Sequence, residues 1–316
     1  MSHTVFIDGD VGTTGLQIRQ RLEGRTDITL IRLPEDKRKD VEARREALNS
    51  AEAVILCLPD DAAREAVSLI SNPEVRVIDA STAHRTHPDW VYGFAEMTAE
   101  QRDLIAAAKR ISNPGCYATG FIALARPLSE AGILPPFWPL TCNAVSGYSG
   151  GGKSMIAEFE KSMAEGGTDD AYRIYATGLN HKHLPEMTHY SGLESPPVFT
   201  PAVGRYAQGM IVEIPLQLWA LPEEPELGRL FEIYDDYYAG ETFVTVADFE
   251  ETQALKALQP EMLNDTNHLR IHVFGDEAGQ QARLVAVLDN LGKGASGAAV
   301  QNLNLALGLD ETLSLI

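Results

Sequence analysis

The stretch Val5-Phe6-Ile7-Asp8-Gly9-Asp10-Val11-Gly12-Thr13-Thr14-Gly15 decides how the chain begins to fold. Val5, Phe6 and Ile7 make a short strand, and the glycines stop it. Leu16, Ile18 and Leu22 then recur at helical spacing and predict an amphipathic helix. Gly9, Gly12 and Gly15 form G-x-x-G-x-x-G, a variant of the dinucleotide-binding turn. In such a turn Gly9 permits the tight bend, Gly12 lets a pyrophosphate approach the backbone, and Gly15 lets the helix pack closely on the strand. The helix start, at Thr13 and Thr14, receives the phosphates. A plain βα loop with glycines for turn geometry is the bland alternative, but the flanking strand and helix favour a nucleotide.

Outward from this turn the alternation continues. Strands are expected at Ile28–Ile31, Ala53–Leu58 and Val75–Ile78, with helices over about Lys39–Asn49 and Ala62–Ile70. Near-continuous apolar strands alternating with helices imply a parallel sheet covered on both faces, a doubly wound α/β domain of the Rossmann type. The second strand ends Leu30-Ile31-Arg32, where NAD-binding chains usually carry an acid for the ribose 2′-OH. A cation there suits a 2′-phosphate, so Arg32 predicts NADP(H). Glu35 and Asp36 dilute that signal.

After residue 116 the texture changes. Strand-like runs such as Gly209–Pro215 and Leu284–Leu288 mix with Gly- and Pro-rich loops, including Leu218–Glu226. This predicts a mixed α+β domain on a largely antiparallel sheet. Small and apolar residues at helical spacing from Ala295 to Leu309 predict a helix that packs back on the first domain. The expected division is 1–116 with about 296–316, and about 117–295.

The chain has 316 residues and a net charge of −19, which argues against nucleic acid or an anionic membrane as the main partner. An anionic substrate must therefore be held by local cations and backbone amides. No signal-peptide pattern or membrane-length apolar run is present, and a cytoplasmic location is expected. Cys57, Cys116 and Cys142 make no disulfide framework and no metal spacing, so no metal is expected. Cys57 ends an apolar strand and Cys142 alternates like a strand residue; both read as small buried hydrophobes.

Cys116 differs. It follows Ser112-Asn113-Pro114-Gly115 and opens a run with Phe121, Ile122, Leu124, Ala125 and Leu128 at helical spacing. A thiol at the first turn of a helix faces unpaired N–H groups and the positive end of the dipole, and both favour thiolate. Such a nucleophile needs an acid–base partner. His181-Lys182-His183-Leu184-Pro185-Glu186 offers two histidines, with Glu186 spaced to orient His183. Arg85, in Asp79-Ala80-Ser81-Thr82-Ala83-His84-Arg85 after the fourth strand, can grip a phosphate or carboxylate in two-pronged fashion. Ser146-Gly147-Tyr148-Ser149-Gly150-Gly151-Gly152-Lys153 supplies amides, hydroxyls and a lysine, at spacing unlike a P-loop.

At these motifs, together with Asp289–Gly297, the chain resembles the N-acetyl-gamma-glutamyl-phosphate reductases, in particular the shorter of their two types. Lys182 stands where arginine is common in that family, which keeps the charge but not a two-pronged grip. The resemblance implies the fold of the aspartate-semialdehyde dehydrogenases, with a Rossmann domain, an α+β catalytic and oligomerisation domain and a C-terminal helix returning to the first, and an NADP-dependent oxidoreductase of arginine biosynthesis. It implies that Cys116 attacks an acyl phosphate, that phosphate leaves, and that the thioester takes a hydride to give a semialdehyde. In this reading His183 and Glu186 serve catalysis, with His181 on the substrate, although the two histidines are not separable by sequence. Arg85, Asn113, Ser146 and Gly147 hold substrate or phosphate. Gly9, Gly12, Thr13, Thr14, Gly15, Arg32, Ser81, Asn290 and Gly294 border the cofactor. The partners implied are the small acyl phosphate, inorganic phosphate and further copies of the chain, as a dimer or tetramer. Rival readings are a reductase of a longer amino-adipyl phosphate in lysine biosynthesis, and a non-catalytic NADP-binding sensor.

Overall fold

The structure, a computed structural model, describes residues 2–276 and 278–316. The chain divides into two compact units, Met1–Gly115 with Ala295–Ile316, and Cys116–Gly294. Cys116, counted with the first domain on sequence grounds, is thus the first residue of the second.

The first unit opens with β1 (His3–Asp8), α1 (Thr13–Leu22), β2 (Ile28–Ile31), α2 (Val41–Ser50), β3 (Ala53–Leu56), α3 (Asp60–Ser68), β4 (Arg76–Asp79), β5 (Val91–Tyr92), α4 (Gln101–Ala107) and β6 (Arg110–Ser112). Its sheet runs β2-β1-β3-β4-β6-β5, with every pairing parallel. Every residue of β3 is buried, as expected for an inner strand covered on both faces. The chain leaves β1 for β2 on one side and returns to β3 on the other, so the strand order reverses beside the carboxyl end of β1, where α/β sheets bind ligands.

Several boundaries differ from expectation for local reasons. α2 starts at Val41 because the Asp40 carboxylate caps it, accepting from the Ala43 amide. α3 starts earlier, directly after Pro59. β5, α4 and β6 were not anticipated. At two, seven and three residues they are too short for a periodicity to show, and neighbouring strands define β5 and β6.

The second unit contains α5 (Cys116–Glu130), β7 (Thr141–Gly147), α6 (Gly152–Glu160), β8 (Tyr172–Ile174), α7 (Leu184–Tyr190), β9 (Val198–Gly204), β10 (Met210–Gln217), α8 (Leu227–Tyr237), β11 (Val244–Val246), α9 (Phe249–Ala254), β12 (Leu269–Gly275) and β13 (Gln281–Leu288). Its sheet runs β11-β12-β13-β10-β7-β9-β8, antiparallel except at β11–β12 and β7–β9. α5 crosses it with no β-carbon at Gly120, where one would come within 2.8 Å of Val212. Pro127 lies inside α5 and has no N–H for the Ala123 carbonyl, which accepts from the Tyr238 hydroxyl at 3.0 Å instead.

A turn of π-helix over Gly292–Ser296 leads into α10 (Gly297–Ala306), which returns to the first unit as expected. Amide side chains fasten it there. Asn302 donates to the Gly93 carbonyl and the Asn113 side chain, and Gln301 donates to Glu96.

Candidate active site

In the first unit the glycine turn between β1 and α1 is tightly confined. Gly9 has φ +92°, and a β-carbon on it would lie 2.4 Å from the Cys57 carbonyl oxygen. Gly15 is equally confined, 2.4 Å from the Gly9 carbonyl, so β1, the turn and α1 close on one another only with glycine at both places. Gly12 is the N-cap of α1 and supplies no capping side chain. The amides of Thr13, Thr14 and Gly15 therefore open a helix whose first turn holds no acidic residue, a ready seat for phosphate.

Beside the turn lies a cleft of about 610 Å³ whose walls include Gly9, Asp10, Arg32, Leu33, Arg38 and Lys39. Arg32 is exposed at its rim and pairs with Glu23 at 2.8 Å. The floor carries a buried pair that sequence reading missed, with Arg44 donating to the Asp8 carboxylate at 3.0 and 3.2 Å. Burial outweighs Arg44 and raises the Asp8 pKa. Its only sequence signal is an acid at the end of an apolar strand.

At the end of β4, Asp79 is fully buried and organises the following loop. It accepts from the Ser81 amide and hydroxyl and from His84 Nδ1 at 2.6 Å. The His84 ring stacks on Trp90, 4.1 Å between centroids. This places Ser81 and brings Arg85 inward, where its Nε donates to the Asn113 carbonyl at 3.0 Å. Asn113 is itself engaged, donating to the Ala295 carbonyl and accepting from Asn302.

In the second unit Cys116 is the first residue of α5 and is only half-buried, whereas Cys142 is wholly enclosed. Burial pushes the Cys57 and Cys142 thiols up, and Asp79, Asp8 and Asp10 add to the effect at Cys57, so both stay neutral. Gly294 packs directly on Cys116, for a β-carbon there would lie 2.7 Å from Cys116 Cβ. The two histidines meet edge to face at 4.7 Å between centroids, enclosed by Tyr117, Tyr175 and Phe199. His183 precedes α7 as its N-cap, and Glu186, in the first turn, is buried. Tyr117 and Tyr175 are the residues sequence reading passed over; nothing distinguishes them there from other tyrosines of a mixed domain.

The glycine run 146–153 is ordered rather than loose. Ser146 and Gly147 end β7, and a β-carbon on Gly147 would meet the Ala207 carbonyl at 2.5 Å. Asn290 spans two loops, accepting from the Gly209 amide at 2.7 Å and donating to Ser149 Oγ at 2.9 Å. Among the described residues there is no cluster of three or more metal-ligating side chains, and no helix long and apolar enough to cross a membrane.

Comparison with known proteins agrees with this geometry. Residues 116–290 match the semialdehyde dehydrogenase dimerisation domain, and residues 32–105 the semialdehyde dehydrogenase NAD binding domain. Relatives named N-acetyl-gamma-glutamyl-phosphate reductase are 53% identical in Nostoc sp. (98% of each chain), 51% identical in Brucella anthropi (98% of this chain, 99% of that one), and 52% identical in Pseudomonas putida (96% of each). The aspartate semialdehyde dehydrogenase II of Vibrio cholerae superposes with a TM-score of 0.69 at 16% identity, covering 98% of this chain and 99% of that one. The aspartate semialdehyde dehydrogenase with NADP from Candida albicans does so with a TM-score of 0.63 at 14% identity, covering 96% and 98%. At these identities the likeness is one of fold.

Proposed function

The chain belongs to the N-acetyl-gamma-glutamyl-phosphate reductase family, and on that footing we propose that it reduces N-acetyl-gamma-glutamyl phosphate to N-acetylglutamate 5-semialdehyde, releasing phosphate, in arginine biosynthesis. The observation that carries the reading is a half-buried cysteine at the start of α5, in one unit with two enclosed histidines.

Cys116 acts as thiolate. Its sulfur bonds to the acyl carbon as the carbon–oxygen bond to phosphate breaks, and amides at the start of α5 receive the transient oxyanion. Arg85 and the Ser146–Lys153 segment take the departing phosphate, and Asn113 and Gly147 shape its surroundings. When bound, NADPH supplies the hydride that converts the thioester to a thiohemiacetal. His183 gives the proton that the thiohemiacetal oxygen acquires, and recovers it as the aldehyde and thiolate separate. Glu186 orients His183, and His181 contacts substrate. The turn at Gly9, Gly12 and Gly15 and the amides of Thr13 and Thr14 hold the dinucleotide phosphates. Arg32 would hold the 2′-phosphate of a bound NADPH, and Ser81, Asn290 and Gly294 would border its nicotinamide.

The enzyme works in the cytoplasm as a homo-oligomer associated through its second unit, in keeping with the dimerisation domain matched over residues 116–290. Neither metal nor nucleic acid takes part. The test is the reverse reaction. Phosphate-dependent reduction of NADP with N-acetylglutamate semialdehyde is expected, with little turnover of the homologue one carbon longer. Preference for the longer aldehyde would reassign the substrate to lysine biosynthesis. No turnover of either, together with a Cys116 inert to iodoacetamide at neutral pH, would leave a nucleotide sensor.

A further inference from the structure

The enclosed histidines of the second unit are joined by hydrogen bonds whose directions can be followed. The backbone N–H of His183 donates to His181 Nδ1 at 3.1 Å. An amide has only a proton to give, so His181 Nδ1 must offer its lone pair, and the ring proton of neutral His181 lies on Nε2. Nε2 faces the Tyr175 hydroxyl at 3.5 Å. At the far end the Tyr117 hydroxyl lies 3.1 Å from the Ala202 carbonyl of β9, to which it donates, and it is also bonded to the hydroxyls of Tyr175 and Ser146. With Nδ1 occupied by the amide, the His181 Nε2–H is directed at the Tyr175 oxygen, which Tyr117 holds in place. Burial raises the pKa of both phenols, with Tyr175 adding to the effect at Tyr117 and the nearby Cys116 adding at both, so both keep their protons.

The loop carrying Tyr175 and His181 is held against its own backbone preference. Ala176 and Leu179 adopt positive φ, +52° and +54°, without being glycine. Such a conformation persists when its surroundings fix it, and the tyrosine at one end and the histidine at the other are what it brings together.

We propose that Tyr175 and Tyr117 are positioning residues that hold His181 in its Nε2–H tautomer, and that His183 is therefore the histidine that exchanges protons during turnover. A second proton on His181 would have to enter Nδ1, where the His183 amide already points, and would break that bond. His181 is thereby suited to donate steadily and His183 to titrate. The assignment of roles rests on the proposed reductase activity, but the tautomer does not.

The experiment uses the full-length enzyme labelled with ¹⁵N-histidine, alongside Tyr175→Phe. In the unmodified enzyme His181 is expected to show a protonated Nε2 and an unprotonated Nδ1 through the neutral pH range. In Tyr175→Phe the Nε2–H partner is gone, and His181 should sample both tautomers or gain an ordinary titration. The same variant should lose about three- to tenfold in kcat with the acid limb of its pH profile unmoved, because that limb belongs to His183. A protonated Nδ1 on His181 in the unmodified enzyme would overturn the proposal, as would a limb displaced by half a unit or more in Tyr175→Phe. Failure of the enzyme to reduce either acyl phosphate would sink the proposed function while leaving the ring tautomer readable.

Discussion

Two helix starts, α1 and α5, use one backbone device for opposite ends. Each follows a strand of the parallel sheet, β1 or β6, and each is reached through glycine, Gly12 or Gly115. At α1 the first turn is Thr13-Thr14-Gly15 behind a cap with no side chain, so the amides are left for a group from outside the chain. At α5 the first residue is Cys116, the proposed nucleophile, and the same partial charges act on its sulfur. The packing follows the difference. Around α1 the glycines are confined by main chain, at Cys57 and at Gly9 itself, so the turn has one shape. Around α5 the close neighbour is Gly294, whose missing β-carbon leaves room for Cys116 Cβ. One start is shaped by confinement of its backbone, and the other by the space a missing side chain leaves.

Replacing the sulfur tests the contrast most severely. Cys116→Ser should bind NADPH as before yet lose phosphate-dependent NADP reduction by about a thousandfold or more. Near-normal turnover would end the thioester mechanism and reduce α5 to a packing helix. Next in size, Gly294→Ala adds a β-carbon 2.7 Å from Cys116 Cβ and should displace the nucleophile. We expect kcat to fall about ten- to a hundredfold, the scale of a misplacement near 1 Å, with NADPH affinity retained. Loss of cofactor binding with kcat intact would show that Gly294 serves the other ligand. At the first start, Arg32→Glu should weaken NADPH by about tenfold relative to NADH, measured by titration of intrinsic fluorescence, because one ion pair with a phosphate is removed and an anion put in its place. An unchanged ratio would move the 2′-phosphate to Arg38 or Lys39, on the same cleft.

The smallest effect concerns the second unit's sheet. Burial, helped by Arg270, lowers the His272 pKa on β12 from 6.5 to about 4. The unfolded chain then takes up a proton at about pH 6.5 that the folded one refuses until about pH 4. Stability should fall across that window by up to about 3 kcal/mol and level off below it. Urea melts of His272→Gln between pH 7 and pH 4 should show a shallower fall. Equal slopes would assign the acid sensitivity to other groups.

Much of this was legible in the chain because it depends on neighbours along it. Strand, glycine turn and helix at residues 5–22 form a local pattern, and so does a thiol placed just past Pro114 and Gly115. β5, β6 and α4 were not legible, being too short to carry a period. Arg85 shows both sides. A cation after β4 could be read from sequence, but its turn inward to the Asn113 carbonyl follows from Asp79, Ser81 and His84 folding the intervening loop.

The amino-acid sequence by itself determined a glycine turn between strand and helix, a cysteine at a helix start and a pair of histidines a few positions before a glutamate. Each is a matter of residue type and spacing over a few positions. Only the tertiary structure decided that Asp8 lies against Arg44, that Gly294 makes room for Cys116, and that two tyrosines close around His181. Gly294 lies 178 positions beyond Cys116 along the chain. No local rule encodes such contacts, because long-range packing sets which side chains meet and hydrogen-bond partners then decide which atom holds the proton.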